Sequence, residues 1–131
     1  MTLKYVIMIY SNPATWVHPM FLHQHAQLTP AERAAQLDEF RVLMTEIAQS
    51  GELIDTAALG DPVKSRTIRF RDGAPAVTDG PFADAKEQMA GYFVVDCATP
   101  ERAAEIAARF PDARYGGVEI RPVVDRSEME M

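Results

Sequence analysis

The sequence predicts an antiparallel α+β fold made of two split β-α-β halves, the ferredoxin-like pattern. One observation is the order of strand-like and helix-like segments, β-α-β-β-(β)-β-α-β, in which the bracketed element is an extra short hairpin strand. A second is that both helix-like segments begin with Thr-Pro followed by acidic and basic residues, at 29–33 and 99–102. Two helices of this kind are expected to cover one face of an antiparallel sheet.

The strands are assigned from runs of β-branched and aromatic residues, and the helices from their periodicity and caps. Thr29 is a helix N-cap, with proline at the first helical position and Glu32 completing a capping box. Apolar residues then recur at helical spacing as far as Gly51, a typical helix stop. Asp72-Gly73 is a hairpin turn signal. The predicted strands are 3–10, 52–59, 65–71, 76–78, 89–97 and 115–123, and the predicted helices begin at Thr29 and Thr99.

The central strands lack the alternation of apolar and polar residues that a sheet with one solvated face shows. Val6 and Met8 alternate with Ile7 and Ile9, and 92–95 is apolar at every position. Both faces of these strands are therefore expected to be buried, although the predicted helices cover only one face. A second copy packed sheet to sheet would cover the other, so we expect a homodimer, a dimeric α+β barrel.

Composition and charge exclude several function classes. The chain of 131 residues is 47% apolar, and we expect a single domain over 1–124 with a flexible tail over 125–131. Its formal charge of −6 argues against nucleic acid as a partner. The single cysteine, Cys97, closes an apolar strand and is expected to be a buried, inert thiol. We find neither a secretory signal nor a membrane-spanning run, which predicts a cytoplasmic protein.

A polar block over 78–87 follows the predicted hairpin and carries the candidate site. Asp79 is the candidate general acid or base, because the turn after it could hold its carboxylate at the rim of a cavity. Arg69 on the neighbouring strand and Lys86 are candidate ligand-binding cations, and Tyr92 is a candidate ligand-binding side chain. The alternative is that Asp79 caps its own turn by accepting backbone N–H groups.

Three histidines, His18, His23 and His25, lie in the irregular segment 11–28. His23 and His25 share one side of an extended backbone, and we include both among the candidate ligand-binding residues. With His18 they could bind a divalent metal such as zinc. A surface or dimer-contact loop explains the same residues without any ligand. We therefore assign no metal site and no cofactor.

The block Asp79-Gly80-Pro81-Phe82 resembles the signature of the DGPF subgroup of YCII-related proteins. The similarity extends to the opening strand 4–10, to 91–93 and to the ending 113–122. It implies a bacterial, cytoplasmic protein with a ferredoxin-like subunit in a dimeric α+β barrel. Some members are associated with alternative sigma factors, and relatives in the wider superfamily include isomerases and dehydrochlorinases without organic cofactors. The His–Asp pair credited to YCII relatives is not carried over, because Phe40 stands at the position of the histidine.

Two functions are consistent with this pattern. The first is a small-molecule enzyme with isomerase-like or lyase-like chemistry, in which Asp79 transfers a proton. The second, which the resemblance implies, is a non-catalytic regulatory or binding dimer associated with an alternative sigma factor. A cavity into which Asp79 points would favour the enzyme. An Asp79 carboxylate bonded to its own turn would favour the binding protein.

Overall fold

The computed structural model describes residues 3–12, 29–83, 85–125 and 127. The elements of this part of the chain follow the predicted order. The strands are β1 (Leu3–Ser11), β2 (Leu53–Ala58), β3 (Arg66–Arg71), β4 (Ala74–Asp79), β5 (Gln88–Cys97) and β6 (Gly117–Pro122), and the α-helices are α1 (Pro30–Gln49), α2 (Pro100–Ala108) and α3 (Asp112–Tyr115).

The main sheet has four antiparallel strands in the order β2-β5-β1-β6. Strand β5 therefore lies between β1 and β2, the two strands joined through α1. Strand β1 likewise lies between β5 and β6, which are joined through α2. Each β-α-β half is thus split by a strand of the other half, which confirms the ferredoxin-like α+β fold.

The local signals that begin the two long helices and form the hairpin turn are confirmed. The Thr29 hydroxyl accepts a hydrogen bond from the Glu32 amide at 3.1 Å, and the Glu32 carboxylate accepts one from the Thr29 amide at 3.2 Å. The Thr99 hydroxyl caps α2 by accepting a hydrogen bond from the Arg102 amide at 3.1 Å. Asp72 and Gly73 have φ values of 53° and 80°, the conformation that a two-residue hairpin turn requires.

The helices pack on one face of the sheet and form the hydrophobic core with it. Phe40 of α1 is 6% exposed, and its ring centroid lies 6.0 Å from that of Phe93 and 6.2 Å from that of Phe110. Phe40 is therefore a core residue. It packs in the hydrophobic core at the position where YCII relatives are credited with a histidine. The other large buried side chains are Ile7, Ile9, Leu43, Ile47, Val95 and Ile106.

An ion-pair cluster joins the start of β2 to both long helices. Arg102 of α2 contacts Glu52 at 2.8 Å and Glu46 of α1 at 2.9 Å, and these hydrogen bonds hold the pKa of both carboxyls below the usual range. Nearby Cys97 is fully buried, as predicted, and burial together with Glu52 raises the pKa of its thiol.

The end of the chain differs from the prediction. Strand β6 begins at Gly117 and not at Tyr115, because a helical turn, α3, follows Pro111. The Tyr115 hydroxyl accepts a hydrogen bond from the buried Gln36 amide of α1 at 2.7 Å. Asp112 at the start of α3 is 1% exposed, and burial raises the pKa of its carboxyl to about 7.

The hairpin is also larger than predicted. The extra strand expected at 76–78 spans six residues as β4, and it pairs with β3 along its whole length. The two strands form a separate sheet and do not join the main one.

Candidate ligand site at the hairpin

Asp79, the candidate acid or base, is the last residue of β4 and lies opposite Arg66 of β3. Its carboxylate is 3.8 Å from the Arg66 Nε, and the two side chains are 93% and 75% exposed. Gly80 then turns the chain with φ of 105° and donates its amide to the Ser65 carbonyl at 2.8 Å. Among the described residues, no backbone amide donates to the Asp79 carboxylate. This carboxylate is therefore paired with an arginine in solvent and does not cap its own turn.

Arg69, the predicted cation next to Asp79, lies on the other face of the hairpin. Side chains alternate along a strand, and the register pairs Arg66 with Asp79 but Arg69 with Ala76. The Arg69 guanidinium stacks on the Phe82 ring, 4.2 Å from its centroid, a cation–π contact that holds the following loop against the hairpin. Sequence reasoning missed Arg66, although the turn at Asp72-Gly73 fixes a register that pairs it with Asp79.

A groove with a volume of about 420 Å³ lies at the base of the hairpin. Its walls are mainly apolar, and Arg66 is the charged residue among those that line it. The Thr67 hydroxyl donates to the Gly80 carbonyl, and the Gln88 amide nitrogen donates to the Ala83 and Ala85 carbonyls. The Thr67 and Gln88 groups therefore support the walls, while Ser65 and the charged Arg66 are the other polar residues that line the groove and could meet a ligand. The apolar lining residues are Leu59, Pro62, Ile68, Pro81, Phe82 and Met89.

The other predicted ligand-binding residues lie apart from Asp79 or outside the described residues. Lys86 is exposed in the segment that leads into β5. Tyr92 is half-buried on the sheet face opposite the helices, where it pairs with Met8. His23 and His25 lie outside the described ranges, as does His18. Within those ranges, no group of three or more His, Cys, Asp or Glu side chains is placed to hold a metal ion.

A second polar cluster, not predicted from the sequence, lies at the β1–β6 edge of the same sheet face. The Tyr10 hydroxyl donates to the Glu119 carboxylate at 3.0 Å. Burial and this carboxylate raise the pKa of the Tyr10 hydroxyl. Glu87 borders the same depression. The pair could be recognised only from the β1–β6 register, because 109 residues separate its members.

No helix in the described part of the chain combines the length and the apolar character needed to span a membrane.

Comparison with known proteins gives a similar sequence and a family match. An uncharacterised protein of Rhizobium meliloti (strain 1021) is 31% identical over 87 residues, which cover 65% of this chain and 70% of that protein. The family pattern of the YCII-related domain matches residues 3–127, so the chain belongs to the YCII-related family.

Proposed function

We propose that this protein is a homodimer that binds a small molecule beside its sheet-to-sheet interface. The observation that carries the proposal is the sheet face opposite the helices, here called the open face. Its centre consists of Val6 and Met8 of β1 and Tyr92 and Val94 of β5, which pair directly across the two strands. All four are half-buried, and among the described residues no helix packs over them.

Burial of this surface supplies a driving force for dimerisation. Full burial of a large apolar side chain contributes about 1.5–3 kcal/mol. The open-face residues are already partly shielded, so each contributes a fraction of that value. Four such residues from each copy would supply several kcal/mol toward the association of two sheets face to face, against the loss of translational and rotational freedom on binding. A face-to-face pair of sheets is the dimeric α+β barrel that the sequence predicts.

Substitution of Val94 by glutamate is expected to convert the dimer to a monomer. A carboxylate at the centre of the interface would lose its hydration without gaining a partner, which costs several kcal/mol. Sedimentation velocity at micromolar concentration measures the change. Val42→Glu is the matched control, because Val42 lies on the outer surface of α1 and is 55% exposed. A Val94→Glu protein that sediments like the parent dimer would contradict the proposed interface.

The hairpin groove is the proposed ligand site. Small-molecule sites have volumes of about 300–1,000 Å³ and mainly apolar walls with a few polar groups. The groove meets this description, and Arg66 is its charged lining group. The ligand class that fits best is a molecule with an apolar body and one anionic group. Asp79, paired with Arg66 at 3.8 Å, is proposed to hold the guanidinium at the mouth of the groove.

Anilinonaphthalene sulfonate, an apolar dye with one sulfonate, tests this ligand class. Arg66→Gln is expected to weaken dye binding about tenfold, the effect of losing roughly 1.4 kcal/mol of a charge-assisted contact. Fluorescence titration measures the affinity. Arg71→Gln is the control, since it removes the same charge from the hairpin at a residue that does not line the groove. Equal affinities for the two variants would contradict a specific role for Arg66.

Isomerase-like or lyase-like chemistry would require the Asp79 carboxylate to be enclosed with its substrate. A general acid or base acts within hydrogen-bond reach of its substrate and away from bulk water. Asp79 is 93% exposed in the single chain, so catalysis would need the second copy or the ligand to enclose it. The alternative is a non-catalytic binding or regulatory dimer, of the kind associated with alternative sigma factors. The exposure of Asp79 in the single chain favours this alternative over catalysis. Proton transfer by Asp79 stays a prediction.

A further inference from the structure

We propose that the ring of Phe82 is a stacking platform in the hairpin groove, and that the ligand of this groove is a planar aromatic anion. The proposal rests on the proposed ligand site and defines the chemical class of its ligand more closely. Phe82 follows the turn after β4 and lines the groove together with Arg66. An aromatic ring and a cation in one groove match the two parts of an aromatic anion, its flat face and its charge.

The loop that carries Phe82 is held by hydrogen bonds on both sides of that residue. Before it, Gly80 donates its amide to the Ser65 carbonyl at 2.8 Å, and the Gly80 carbonyl accepts from the Thr67 hydroxyl at 2.9 Å. After it, the side-chain amide of Gln88 donates to two loop carbonyls, at 2.8 Å and 2.9 Å. The backbone around Phe82 is therefore fixed, which gives the ring a defined place at the groove.

One side of the Phe82 ring is occupied within the protein, and the rest of it is free. The Arg69 guanidinium lies 4.2 Å from the ring centroid, well within the range of a cation–π contact. Phe82 is nevertheless 72% exposed. Among the described residues, Phe82 lines the groove and Arg69 does not. The ring surface that meets the groove is therefore the surface that the guanidinium leaves uncovered, and a second planar group can stack on it.

The free ring surface favours an aromatic ligand over a saturated one of the same size. Aromatic pairs in stacked or edge-to-face geometry gain energy beyond that of the apolar area they bury. The aliphatic lining residues Leu59, Ile68 and Met89 contact any apolar body and do not distinguish the two ligands. Phe82 is the one aromatic residue among the described residues that line the groove. The preference for a planar ligand therefore depends on Phe82, while Arg66 receives the charged group.

A matched pair of carboxylic acids tests the proposal. Naphthoate and its fully saturated counterpart, decalin carboxylate, have the same carbon skeleton and the same charge, but only naphthoate is planar and aromatic. The parent chain is expected to bind naphthoate about fivefold more tightly, which corresponds to about 1 kcal/mol of stacking. The saturated acid has the larger apolar surface, so burial alone would give the opposite order. Titrations followed by two-dimensional NMR measure both dissociation constants, including millimolar ones.

Phe82→Leu should abolish this preference, because leucine keeps the apolar wall but cannot stack. The affinity for naphthoate is expected to fall about fivefold, to that for decalin carboxylate or below it. Phe70→Leu is the matched control, since Phe70 is also 72% exposed and lies on the same hairpin but is not among the described residues that line the groove. The control should bind both acids as the parent does. A preference that survives in Phe82→Leu, or that Phe70→Leu abolishes equally, would overturn the stacking platform.

Arg66→Gln separates the failure of the stacking platform from that of the ligand site. This variant is expected to weaken the binding of both acids about tenfold and to leave the ratio of their affinities unchanged. If the parent binds the two acids equally and Arg66→Gln weakens both, the ligand site stands and the stacking platform is overturned. A parent chain that binds neither acid at millimolar concentration overturns both.

Discussion

Replacement of Gly116 by alanine is expected to lower the free energy of unfolding by about 3 kcal/mol or more. A Cβ at this position would overlap the carbonyl oxygen of Tyr10 and approach the Ser11 Cα to 3.3 Å. These are backbone atoms of β1, which cannot move aside as a side chain can. The added methyl group must therefore push α3 and β6 away from the edge of the sheet. The midpoint of urea unfolding, at fixed protein concentration, measures the loss.

Gly117 and Gly91 provide a graded control. A Cβ at Gly117 meets nothing closer than the Glu87 carboxylate at 3.9 Å, an ordinary contact. Gly117→Ala should thus change the stability by less than about 1 kcal/mol. A Cβ at Gly91 would lie 2.8 Å from the Ala57 carbonyl oxygen, so Gly91→Ala should fall between the other two. Equal midpoints for Gly116→Ala and Gly117→Ala would show that β6 can shift freely on β1.

The second large effect is expected at Asp112. Burial raises the pKa of this carboxyl to about 7 from an ordinary value of 3.8. The native state therefore binds the proton more tightly than the unfolded chain, and the resulting stability is complete below about pH 4. This stabilisation declines as the pH rises above about 4, and it is lost once the pH has passed the native pKa of about 7. Each unit of pKa corresponds to about 1.4 kcal/mol, so the contribution is of order 4 kcal/mol at most.

Asp112→Asn tests this dependence, because asparagine has the same shape and does not ionise. The variant is expected to match the parent near pH 4 and to exceed its stability near pH 8. Unfolding midpoints across this range measure the difference. Asp125→Asn is the control with the opposite pH dependence. The Ser127 backbone amide holds the pKa of Asp125 below its usual range, so the stability that this carboxylate contributes is lost as the pH falls. A variant at 112 that is less stable than the parent at every pH would show that the carboxylate makes a contact that asparagine cannot make.

The features that the sequence predicts well are those with local causes. A capping box needs only Thr29 and Glu32, and a two-residue turn needs only Asp72 and Gly73. Contacts between distant segments were not predictable in this way. The bond between Gln36 and Tyr115 spans 79 residues, and it fixes a helical turn where propensity alone indicates a strand.

The candidate site shows the same limit. The sequence places Asp79 at a turn and a cation nearby, but the choice between Arg66 and Arg69 depends on which face of the hairpin each occupies. That choice follows from pairing across the turn, as the alignment of Arg66 with Asp79 shows. Tyr10 and Glu119 could not be joined from the sequence, because their contact depends on which strands are neighbours in the sheet.

The buried thiol of Cys97 is a natural probe of local opening at the end of β5. It is the chain's one cysteine, it is fully buried, and the raised pKa of its thiol slows reaction further. A thiol reagent can reach it only when the core around the end of β5 opens. The rate of labelling under native conditions therefore reports the free energy of that opening. A dimer should label more slowly than its monomeric variant, without any added probe.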